Sequence, residues 1–206
     1  MVAKLAEALR RIHRVDKHIG ETVTSFTLSL VVRNDPRQPS RFTSGSTGQY
    51  VGRTCLTNVL APGVDLAVLA DALVHESIHS VLYMQEKMAP WVTDADVYSG
   101  VGYGAVSPWS GRTLTPRQFM QACFVWFGLY KFWTMPGAVK EFGNERAAAM
   151  AWDARKGFYR SDLVGLTSSW RHLTDPILID CIYAMQKMVM KSDYPALVEG
   201  IRERRA

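Results

Sequence analysis

The chain has 206 residues, of which 48% are hydrophobic and 21% charged, with a formal net charge of +5. This mixture excludes a disordered polyampholyte, and the length suffices for one domain with a substantial core. No uninterrupted apolar run could cross a bilayer and residues 1–20 are too charged for a secretory signal, so a soluble, cytoplasmic protein that does not engage membranes is expected.

Residues 2–18 predict an amphipathic helix, with Leu5, Leu9 and Ile12 at helical spacing and with His13 and His18 on its surface. Residues 24–32 alternate and are rich in β-branched side chains, which predicts a strand ending at the turn Asn34-Asp35-Pro36. A loop is expected over 36–48, where Pro, Ser, Gly and Thr crowd together, then a second strand over 50–59 that pairs with the first. After the turn-forming Pro62-Gly63, apolar residues at Leu66, Leu69, Leu73, Val74, Ile78, Val81 and Leu82 predict a helix from 64 to about 86.

The stretch 90–115 reads as a long connection carrying Tyr98, Tyr103 and Trp109, and a loop of that length in a compact domain is usually functional. Thr115-Pro116 then opens a helix that is apolar nearly all round, the expected buried centre, with Gln121 as its polar residue in mid-span. Further helices are expected at 138–156, 160–172, 175–191 and 194–204. The resulting fold class is mainly α with a small antiparallel β element (α+β). It is read as a single domain over 1–206, in which 1–60 supply a helix and the β element and 61–206 the helical catalytic part.

Cys55, Cys123 and Cys181 are odd in number and widely spaced, as reduced core thiols are. The basic residues gather over 4–17 and 202–205 as solvated helix faces, without the exposed aromatics that nucleic-acid binding would interleave, so no nucleic-acid partner is expected.

The segment richest in chemistry is His75-Glu76-Ser77-Ile78-His79, an H-E-x-x-H pattern inside the helix over 64–86. Residues 75 and 79 lie one turn apart on such a helix, so their ring nitrogens can converge on one cation, with Val74 and Ile78 keeping the site partly dry. The plain alternative is a surface helix bearing two histidines beside a solvated glutamate, but apolar residues bracket the pair. Metal enzymes of this kind need a third protein donor. Glu145, followed by small residues at 147, 148, 149 and 151, is preferred for that place, with Glu141 and Gln121 as competitors.

Ala61-Pro62-Gly63, the run Leu73 to Ser80 around the histidines, Ser107-Pro108-Trp109-Ser110-Gly111-Arg112, Gln121-Ala122-Cys123-Phe124-Val125 and Phe132-Trp133 together resemble the H-E-x-x-H-type peptide β-hydroxylases, over about residues 55–175. Members of that family are Fe(II)- and 2-oxoglutarate-dependent enzymes that modify ribosomally made precursor peptides. They carry an arginine directly after the Pro-Trp pair and a glycine after the glutamine, where this chain has Ser110 and Ala122. The resemblance implies a zincin-like metal helix and an Fe(II) ion held by His75, His79 and Glu145. It further implies a 2-oxoglutarate whose distal carboxylate meets Arg112 or Arg117 with Gln121 nearby, and a precursor peptide lying against Tyr103 and Trp109. Arg146, Arg155 and Arg171 stay open as alternative carboxylate partners. In this scheme Glu76 has no proton-transfer duty and either supports the ligands or binds the peptide.

The same residues also suit a zinc metallopeptidase of the glutamate-ligated type, with Zn²⁺ on His75, His79 and Glu145 and with Glu76 as the catalytic base that activates bound water. A third reading is a binding protein that takes up a leader peptide on its β edge or aromatic loop without chemistry. The sequence leaves both a monomer and a homodimer open.

Overall fold

A computed structural model describes residues 1–92, 104–160 and 163–191. Its described elements are the helices α1 (Val2–Val15), α2 (Lys17–Phe26) and α3 (Leu66–Met88), the strands β1 (Ser29–Arg33), β2 (Thr43–Ser46) and β3 (Arg53–Thr57), and the short strands β4 (Ala105–Val106) and β5 (Thr113–Leu114). The helices α4 (Pro116–Trp133), α5 (Pro136–Phe142), α6 (Asn144–Arg160), α7 (Leu163–Ser168) and α8 (Pro176–Lys191) complete them. The chain is mainly helical, and no described helix is long and apolar enough to cross a membrane.

The chain divides into two compact units, one of Met1–Pro90 with Lys131–Ala147 and the other of Trp91–Tyr130 with Ala148–Ala206. In the first unit α1 and α2 pack on α3, with Leu5, Ile12, Leu69, Leu73 and Trp133 buried. The second unit buries Phe119, Met120, Leu129, Phe158, Ile179 and Ile182. Pairs such as Leu69 and Leu73 or Ile179 and Ile182 lie three or four residues apart, on the stripe a helix must hide from water.

One helix was expected over 2–18, but the chain turns at Asp16, whose extended backbone ends α1 and whose carboxylate accepts the Ile19 N–H at 2.9 Å to start α2. The corner is tight: a Cβ at Gly20 would stand 2.3 Å from Cγ of His13, so only glycine lets α2 fold back beside α1. Because α2 continues to Phe26, the strand expected over 24–32 begins only at Ser29.

The β element is mixed, not antiparallel. Its order is β1-β3-β2, with β3 parallel to β1 and antiparallel to β2. The reason is an unforeseen strand, β2, inside the expected loop over 36–48. It returns the chain so that β3 runs in the direction of β1. Asn58 fixes this connection from a left-handed backbone (φ 58°), a conformation asparagine tolerates well. Its side-chain amide donates to the carbonyls of Gln38 (2.7 Å) and Arg41 (2.9 Å), and its Oδ1 accepts the Asp35 N–H (2.8 Å).

A short antiparallel pairing of β4 with β5 lies within the expected long connection. The helix expected over 138–156 is two helices parted at Gly143 (φ 85°), and that expected over 160–172 is described as the single short α7. The helices expected from 116 and over 175–191 appear as α4 and α8. The segment 194–204 lies outside the described residues.

Candidate metal site on helix α3

The metal helix is set in place at both its start and its middle. Asp65 caps α3 by accepting the Val68 N–H at 2.8 Å, and Arg146 pairs with the same carboxylate at 3.1 Å. In mid-helix the indole N–H of the fully buried Trp133 donates to Asp71 at 2.7 Å. One turn after Asp71 comes His75, then His79, then Tyr83, a polar stripe at i, i+4, i+8 and i+12 along one edge of the helix.

The two imidazoles have ring centroids 5.0 Å apart, tilted by 55°, and the Tyr83 ring stacks on His79 at 5.6 Å. This separation lets one nitrogen of each ring reach a common ion. Both histidines keep part of their surface open, while Val74 beneath them is buried. Burial pushes the His75 imidazole down to about 4. It is therefore neutral at physiological pH, the form that binds metal.

Glu76 points elsewhere. Only 2% exposed, it accepts the Ser44 hydroxyl on one carboxylate oxygen (2.7 Å) and the Ser46 hydroxyl on the other (2.6 Å). Side chains two apart on a strand share a face, so β2 presents both hydroxyls to α3 together. This clamp accounts for a strand whose sequence, Thr-Ser-Gly-Ser, has little hydrophobic reason to be one. Sequence reasoning missed Ser44, Ser46, Asp71 and Tyr83. The last two were legible as continuations of the four-residue spacing, whereas the serines lie 32 and 30 positions away from Glu76 with nothing local to mark them.

The remaining candidates fall as follows. Glu145 is exposed in the first turn of α6, and Glu141 is engaged by Arg14 at 2.8 Å. Among the described residues no group of three or more His, Cys, Asp and Glu side chains is arranged to hold a metal, so the structure does not bring Glu145 together with His75 and His79 as a ligand set. Gln121, buried at 2% exposure, lies on α4 in the second unit, as do the half-buried Arg117 and, at the end of the β4–β5 turn, the exposed Arg112.

Trp109 belongs to the second unit's core more than to an open loop. Its indole N–H donates to the Ala154 carbonyl at 2.7 Å, its ring stacks on Trp126 at 5.9 Å, and Phe158 meets it edge-on at 5.0 Å. A Cβ at Gly157 would stand 2.3 Å from its ring. The remaining face of Trp109 lines a cleft of about 1080 Å³ with Arg160 and Trp170. Tyr103 lies outside the described residues.

No protein-family model matches the chain, and no curated protein sequence does either.

Proposed function

We propose that this chain is an Fe(II)- and 2-oxoglutarate-dependent hydroxylase acting on Cβ of a residue in a ribosomally made precursor peptide. The observation that carries the choice over zinc peptide hydrolysis is the Glu76 clamp. A peptidase base has to take a proton from metal-bound water within hydrogen-bond reach. Both oxygens of Glu76 are instead occupied by serine hydroxyls from β2. A hydroxylase asks no proton transfer of that residue and can use it to lock the helix that carries the ligands.

The donor set fits a divalent ion in part: two imidazoles at ligand spacing, one of them held neutral by burial, with the apolar Val74 and Ile78 limiting water. His75 and His79 would hold the ion. Glu145, in the same unit as the two histidines, stands as the third-donor candidate that substitution has to test. The distal carboxylate of 2-oxoglutarate calls for a guanidinium, which offers the paired N–H groups that a carboxylate accepts side by side. Bound Fe(II) with 2-oxoglutarate supplies oxidative decarboxylation of the keto acid coupled to hydroxylation of a C–H bond.

The test is anaerobic loading of the purified chain with Fe(II) or with Zn²⁺, followed by aerobic incubation with 2-oxoglutarate and precursor peptide. Succinate formation matched by a gain of one oxygen in the peptide supports the hydroxylase. Peptide cleavage with Zn²⁺ and no succinate with Fe(II) overturns it in favour of the peptidase.

A further inference from the structure

The small sheet leaves strand β1 open. In the ladder with β3, Ser29 donates its N–H to the Gly52 carbonyl and Arg33 accepts the Asn58 N–H. Backbone groups of alternate residues point to alternate sides of a strand, so Ser29, Val31 and Arg33 serve β3 while the N–H and C=O of Leu30 and Val32 face outward. Among the described residues no backbone group reaches them from that side. An unpaired strand edge of this kind is a template for another extended chain.

Two features of the first unit make the edge selective. A cleft of about 460 Å³ lies at each end of β1, one lined by Phe26, Leu28 and Met84 and the other by Val32, Leu60 and Pro62. Leu28 and Leu60 are 77% and 66% exposed, so each cleft offers an apolar side chain to an incoming one. Leu28 and Val32 are four positions apart, about 13 Å along a strand, which is the spacing of side chains i and i+4 on one face of an added strand. The charge around the edge is one-sided. Residues 27–60 contain Arg33, Arg37, Arg41 and Arg53 against Asp35 alone, and none of the four arginines forms an ion pair among the described residues.

We infer that β1 is a docking edge for an extended acidic peptide segment that adds as a fourth strand, seats two apolar side chains four residues apart in the terminal clefts, and offers carboxylates to the arginines. The inference deepens the proposed function, since it rests on the substrate being a peptide, and it separates the segment that is held from the residue that is modified. Backbone pairing favours a polypeptide over a nucleic acid, because bases and phosphates cannot continue the ladder.

The probe is a fluorescent heptapeptide, Glu-Leu-Glu-Thr-Glu-Leu-Asp, titrated with the full chain and read by anisotropy. Saturable binding is expected, weakened about tenfold or more by Arg33→Glu with Arg37→Glu and about three- to tenfold by Val32→Pro, which deletes one outward N–H without touching the β3 ladder. The Lys-for-Glu version of the peptide should not bind. Circular dichroism checks each variant, and if Val32→Pro fails to fold, the arginine pair, exposed on the surface, decides alone. Absence of saturable binding, or equal binding by the arginine variant, overturns the inference. So does a dimer of this chain that Val32→Pro dissolves, or tighter binding of an RNA 12-mer that the peptide cannot displace. His75→Ala should bind the probe like the parent while losing metal, so a failed hydroxylase assay with intact, arginine-dependent docking would count against the chemistry and not against the edge.

Discussion

Replacing Ser44 and Ser46 together by alanine tests whether Glu76 holds α3 to the sheet. The double variant strips the carboxylate, only 2% exposed, of the two hydroxyls that bond it at 2.7 and 2.6 Å. Hydrogen bonds to a charged group contribute about 1.5–3 kcal/mol each, so the loss is about 3–6 kcal/mol. Against a total stability of about 5–15 kcal/mol this is large, and for a chain of this size it lowers Tm on the order of 10 °C. Glu76→Gln is the gentler partner experiment. The amide still accepts from one serine and donates to the other, so a cost of about 1–2 kcal/mol is expected. If Glu76 only positions the helix, Fe(II)-dependent turnover of Glu76→Gln stays within about tenfold of the parent; loss of a general base would cost about 10²–10⁴-fold. Scanning fluorimetry reads the first effect and succinate release the second. An unchanged Tm in the double-serine variant, or a collapse of turnover in Glu76→Gln at full metal occupancy, would refute the positioning role.

His75→Ala or His79→Ala is expected to lower Fe(II) or Zn²⁺ affinity by about 100-fold or more, measured by competition with a metal indicator, because one imidazole alone cannot chelate. The pH dependence of the metal-free chain follows from the depressed His75 value. The unfolded imidazole takes its proton near 6.5 and the folded one only near 4. The unfolded state therefore binds more protons in between, and stability present above about 6.5 is lost as pH falls towards 4, by at most about 3 kcal/mol. In urea titrations the parent should lose stability relative to His75→Gln as pH falls across that window; parallel curves would count against it. Gly157→Ala drives a methyl into the Trp109 ring and is expected to lower Tm clearly, while Trp109→Ala, which empties a buried site and removes the hydrogen bond to the Ala154 carbonyl, costs about 3–5 kcal/mol. Burial raises the Cys123 thiol above its ordinary range, so a thiol reagent should label Cys55 and Cys181 in the native chain and reach Cys123 only after denaturation, as counted by mass spectrometry.

What the sequence by itself determined is what depends on short-range periodicity. The four-residue spacing of His75 and His79 placed two rings on one edge of α3, and the apolar stripes of α3, α4 and α8 located three long helices, because a helix needs only a hydrophobic face and its caps to be recognised. Helix ends set by a single capping carboxylate or a left-handed glycine, at Asp16 and Gly143, were written in the same letters but overshadowed by longer helical runs. The tertiary structure alone decided the rest. A Thr-Ser-Gly-Ser segment becomes a strand because a buried carboxylate from a helix some thirty residues on needs two hydroxyls, and its presence turns the β element from antiparallel to mixed. Trp109 reads as an exposed aromatic in a glycine-rich loop, yet it is drawn into the core by Ala154, Trp126 and Phe158. Partners of buried polar groups are chosen by proximity in space, which no local pattern encodes.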